Sequence, residues 1–117
     1  MRYLLLIYFD ESWGQRSLAE RQQIYAGQMR VAQELTSNGQ YLGGAPLHPV
    51  TTATSVRVRD GKRLLTDGPF AETREQLGGY MLIDVPDLDA AIAVAARSPV
   101  ARVGTVEVRP VREGPPR

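Results

Sequence analysis

Cysteine is absent from the 117 residues, which excludes disulfides, thiolate nucleophiles and Cys-ligated zinc or iron–sulfur centres. A single histidine, His48, is too few for a histidine metal triad. Charge of one sign is lacking as well. Fourteen basic and 13 acidic side chains are interspersed and leave a net +1, which argues against bulk electrostatic binding of a polyanion. Glycine pairs occur at Gly43-Gly44 and Gly78-Gly79, but without dinucleotide-binding spacing or a P-loop lysine, so no cofactor is expected. No apolar run is long enough to span a bilayer. Tyr3–Phe9 follows Arg2 alone and ends at Asp10-Glu11 with no small-residue cleavage site, so it reads as a strand, not a leader. A cytoplasmic protein with no membrane partner is the expectation.

What is present fits one domain, residues 1–112, followed by a tail at 113–117 with nothing to pack and expected to be mobile. The apolar fraction of 43% suffices for a core. Residues 2–9 are apolar almost throughout, as in a central strand covered on both faces. Ser17-Leu18-Ala19-Glu20 is a capping box for a helix running to about Ser37 and stopped by Asn38-Gly39. At 100° per residue, Leu18, Ile24, Tyr25, Met29, Val31, Ala32 and Leu35 share one broad face. Arg21 and Gln28 fall inside that arc. They either snorkel at its rim or line a polar cavity between helix and sheet.

Tyr41–Leu47 reads as an irregular edge strand because of its glycines and Pro46. Asp60-Gly61 between alternating runs predicts a hairpin, with Val56 and Val58 on one side and Arg57 and Arg59 on the other. Tyr80–Val85 is a further buried strand. A second helix capped by Asp87 runs to Ser98-Pro99, and Gly104–Val111 is a half-exposed last strand. The order β–α–β–β–β–α–β predicts an α+β fold, a ferredoxin-like split βαβ sheet with both helices on one face. The uncovered face would be partly apolar, and a face-to-face homodimer closing a dimeric α+β barrel is the expected remedy.

The stretch Asp67-Gly68-Pro69-Phe70-Ala71-Glu72-Thr73, with Glu75-Gln76-Leu77-Gly78-Gly79-Tyr80, resembles the signature of the DGPF group of YCII-related proteins. The opening Tyr3–Tyr8, the hairpin Val56–Gly61 and the closing Val106–Val111 are similar to that group too, so the resemblance covers nearly the whole chain. It implies a small bacterial protein with a dimeric α+β barrel. Most members have no established activity, and some relatives are enzymes, including a dehydrochlorinase-type lyase. A His–Asp pair has been proposed as the active site in YCII proteins, and DGPF genes often neighbour extracytoplasmic-function sigma factors. Many members carry a histidine on the first helix where this chain has Gln28, which hydrogen-bonds but does not exchange a proton near neutral pH.

The candidate base is Asp67, which would need burial beside a pocket; its alternative role is to cap the Gly-Pro turn. Asp10, leaving the first strand, is the second catalytic candidate. Tyr8, Arg21, Gln28, Phe70 and Tyr80 are the expected ligand-binding lining, with Phe70 as an apolar plug. His48 reads either as a plain loop histidine or as a ligand group. RNA binding is not expected, since RNA-recognition modules of this topology need stacked rings and Tyr80 stands alone. The expectations for function are therefore a small-molecule pocket, lyase- or isomerase-like without metal; a non-catalytic sensor or regulatory module linked to a sigma factor; or a structural dimer without ligand.

Overall fold

In the computed structural model, which describes residues 1–114, six strands and two helices alternate along the chain. Strands β1 (Arg2–Phe9), β2 (Tyr41–Pro46), β5 (Gln76–Asp84) and β6 (Gly104–Pro110) form one antiparallel sheet in the order β2-β5-β1-β6. Strands β3 (Thr54–Arg59) and β4 (Lys62–Asp67) form a separate two-stranded hairpin. The fold is mixed α+β, with antiparallel sheets and two helices.

β1 occupies a central position, yet only one of its faces is covered. Tyr3, Leu5, Ile7 and Phe9 are buried, whereas Leu4, Leu6 and Tyr8 are half-exposed. The ladders put Leu4 beside Leu82 and Leu6 beside Tyr80, so these side chains share the open face. The covered face packs against both helices. Val31 and Leu35 of α1 (Leu18–Ser37) and Ala91 and Val94 of α2 (Leu88–Arg97) join Met81 and Ile83 in one core. Burying a side chain the size of Leu5 or Ile83 contributes about 1.5–3 kcal/mol.

Both helices begin where their caps dictate. Ser17 Oγ accepts from the Glu20 amide at 3.1 Å, and the Asp87 carboxylate accepts from the Ala90 amide at 2.9 Å. The Asp60-Gly61 turn has φ of 52° and 74°, the paired positive values of a type I′ hairpin. The bulge expected in β2 lies between Tyr41 and Gly43, on an edge strand.

Several expectations need correction. The buried seam of α1 is Gly27, Val31 and Leu35, at four-residue steps, while Leu18, Tyr25 and Met29 are exposed. Gly27 can take that place because the Pro99 ring fills the space where a Cβ would stand. β5 starts at Gln76, four residues before the expected Tyr80, so Gly78-Gly79 lie inside the strand. Phe70 plugs nothing within the chain: it is 78% exposed. Residues 115–117 of the expected mobile tail lie outside the described residues. Among the described residues, no helix is long and apolar enough to cross a membrane.

Candidate functional site

A concavity of about 590 Å³ forms a groove between α1 and the β2–β5 edge of the sheet. Its floor comes from the sheet, where Gly44, Gly78 and Gly79 line it. At Gly78 the vacated space belongs to the Phe9 ring, which would collide with any Cβ there. Phe9 stacks on Trp13 at 4.1 Å between centroids, and Tyr25 meets Trp13 edge-on at 5.6 Å. This aromatic cluster closes one end of the groove through Phe9 and Tyr25. Met29 and Ala32 continue the helical wall, with Tyr41 and Pro46 facing them from β2.

Two polar side chains stand out in this apolar lining. Gln28 is half-buried, and its Oε1 accepts from the Val100 amide at 3.5 Å. That bond fixes the orientation of the amide, since a flip would set NH₂ against N–H. Nε2 is thus left shielded from solvent without a hydrogen-bond partner. An orphaned donor of this kind costs about 1–3 kcal/mol unless something occupies it. His48, just beyond β2, is exposed on the groove wall. Among the groove residues only histidine is of a type that exchanges a proton near neutral pH.

The other sequence-predicted residues are dispersed. Tyr80 borders the groove, and its pairing with Leu6 and Ala45 turns the ring toward the open face. Tyr8 is half-buried on that open face, opposite Thr105. The Asp10 carboxylate accepts from the Ser12 amide at 3.0 Å and from Ser12 Oγ at 2.6 Å, which closes an Asx turn. It borders a second, polar concavity of about 390 Å³ together with Glu11, Ser12, Arg74 and Glu75. Arg21 is half-buried on α1, with Nε shielded and unpaired, outside the groove lining. Asp67 ends β4, exposed and opposite Thr54. Among the described residues its carboxylate accepts no hydrogen bond; the Gly68 turn is held instead by its own amide on Ala53 O and by Ser55 Oγ donating to its carbonyl. No cluster of three or more metal-ligating side chains occurs among the described residues.

The structure therefore brings Gln28 and His48 to the groove, which Tyr80 borders with its ring on the open face, and leaves Asp10, Arg21, Asp67, Phe70 and Tyr8 elsewhere. Phe9, Tyr25, Met29 and Tyr41 were not expected in a lining. Only Tyr25 and Met29 had a sequence signal: apolar groups at the margin of the helical arc.

Comparison with known proteins adds three findings. A family model for the YCII-related domain matches residues 1–114. An uncharacterised protein of Rhizobium meliloti (strain 1021) is 37% identical over 117 residues, covering 95% of this chain and 92% of that one. Among solved structures, a 5-chloro-2-hydroxyhydroquinone dehydrochlorinase from Burkholderia phenoliruptrix, in complex with 2,5-dihydroxybenzoquinone, superposes with a TM-score of 0.58. That match covers 97% of this chain and 96% of the other at 14% identity, a likeness of fold.

Proposed function

This chain belongs to the YCII-related domain family, and on that premise we propose that it binds a flat, oxygenated organic ring in the groove between α1 and β2–β5. The observation that carries this reading is a mostly apolar groove whose polar groups are few: Gln28, with an unpartnered Nε2, His48 and the tyrosine hydroxyls. An apolar wall with a few polar groups suits a ligand with π-faces and a carbonyl or phenolate oxygen. The ring bound to the dehydrochlorinase is of that class. Lyase-like chemistry follows from the same inventory: the His48 imidazole takes a proton from the ligand while a leaving halide departs with its bonding pair. Within the family, the Asp67–Tyr80 stretch favours the DGPF group. The strand order favours the ferredoxin-like split βαβ description, and the open face with Leu4, Leu6 and Leu82 favours a homodimer closed face to face as an α+β barrel.

Calorimetric titration with 2,5-dihydroxybenzoquinone tests the binding. Saturable one-site binding is expected, weakened about fivefold to tenfold in Gln28→Leu, the value of one neutral hydrogen bond. Absence of saturation in the unmodified protein would sink the reading. Halide release from 5-chloro-2-hydroxyhydroquinone is then expected to disappear in His48→Ala while ring binding persists.

A second reading draws on a different observation. The groove lining contains no carboxylate, so His48 has no acid partner there to orient it. That favours a sensor or regulatory module, of the kind a sigma-factor neighbourhood implies, in which the ligand raises the melting temperature and no product forms.

A further inference from the structure

The β3–β4 hairpin is an arm with no place to bury its apolar side. Cross-strand pairing puts Val56 opposite Leu65, with Val58 next along the same face. These three side chains are 60%, 66% and 57% exposed. Arg57, Arg59 and Lys62 occupy the other face together with Leu64, a mostly charged face. A two-stranded hairpin is marginal in water unless it packs on something. The whole molecule bears the same mark. Its accessible surface is 8385 Å², whereas a self-sufficient monomer of this size exposes about 6,300 Å². The Cα radius of gyration is 16.1 Å, against about 13 Å for a compact chain of this length. The surplus of about 2,000 Å² exceeds the roughly 800 Å² that each partner buries in a standard interface and falls in the range of obligate homodimers.

We infer that the arm embraces a second copy of this chain, laying its Val56–Val58–Leu65 strip on that copy. A two-fold contact lets each copy give and receive the same strip, covering both at once. The strip also carries one cation and one anion, Arg63 and Asp67, and so is self-complementary in charge under the two-fold. The arm reaches the groove at both roots: Leu47 and His48 precede it, and Gly78 and Gly79 follow it. The second copy thus holds the groove rim as well as the arm. This inference rests on the homodimer reading and adds the arm to the open sheet face as a surface of that dimer.

Sedimentation velocity over a micromolar concentration series tests it, with Val56→Asp/Leu65→Asp set against Leu6→Arg on the open sheet face. Both arm positions are exposed, so the double variant should keep the native circular dichroism. A dimer in the unmodified protein whose dissociation constant rises about 100-fold or more in the double variant supports the arm. An unchanged constant in the double variant, with dissociation in Leu6→Arg, overturns the arm and leaves the sheet-face dimer. A monomeric unmodified protein overturns both. Should the double variant fail to fold, a nitroxide on Val58→Cys decides in a chain that has no other cysteine. An immobilised label that loosens on dilution is the expected result, and a freely mobile label at every concentration refutes the inference.

Discussion

Gly104→Ala should lower stability by about 3 kcal/mol and the melting temperature by roughly 12 °C, read by thermal and urea unfolding. Gly104 opens β6 opposite Phe9. A Cβ there would drive into the Tyr8 carbonyl oxygen and lie 3.0 Å from the carbonyl carbon and 3.1 Å from Phe9 Cα. Every atom in the way is main chain of the central strand. Overpacking usually relaxes through a side-chain rotation, and here no side chain is available to rotate. Relief would require β6 to swing away from β1, with loss of ladder bonds and displacement of Val106 and Val108 from the core. A melting temperature within 2–3 °C of the parent, well under 1 kcal/mol, would contradict this account.

Gly78→Ala makes an instructive contrast, because its obstacle is a side chain. The added methyl would meet the Phe9 ring, which is buried against Trp13. The expected cost is again about 2–3 kcal/mol, since Phe9 can admit the methyl only by giving up its packing on Trp13 and Tyr25. Phe9→Leu alone should cost about 1 kcal/mol through incomplete filling. Combined, the two changes should cost far less than their sum, with a coupling of about 2 kcal/mol, because the smaller side chain admits the methyl. Trp13, the single tryptophan, reports the same event: its emission should shift in Gly78→Ala and return toward the parent in the double variant. Simple additivity would show that the ring and the glycine do not share the space. The groove should follow the same pattern, since Phe9 and Gly78 both line it.

These two glycines show where sequence reading stops. Local chemistry was legible: Ser17 and Asp87 cap their helices, Asp60-Gly61 turns the hairpin, and the glycines and Pro46 mark an irregular edge strand. Each depends on residues within a few positions. The face of α1 is legible only in part: Val31, Leu35, Ile24 and Ala32 pack on the core as expected, whereas Gly27 joins the seam by virtue of Pro99, 72 residues later. The start of β5 was missed for the same reason. Gly78-Gly79 lie just before the expected start at Tyr80 and join the strand through a ladder that pairs Gly79 with Ile7 and Pro46. His48 joined the groove through the position of the β2 edge, which no local pattern encodes. Phe70 is large and apolar yet 78% exposed, because burial depends on neighbours from elsewhere in the fold and not on size.

The two outer strands of the sheet carry a further implication. β2 has its bulge at Tyr41–Gly43 and ends in Pro46; β6 ends in Pro110 and pairs Glu107 with Arg109 at 3.9 Å along its length. A proline withholds a donor, a bulge breaks the register and charged side chains penalise a dry junction, so neither rim offers a template for another strand. Lateral growth is thereby closed off in both directions. Crowding this protein should therefore yield no fibrils grown by strand addition at these two rims.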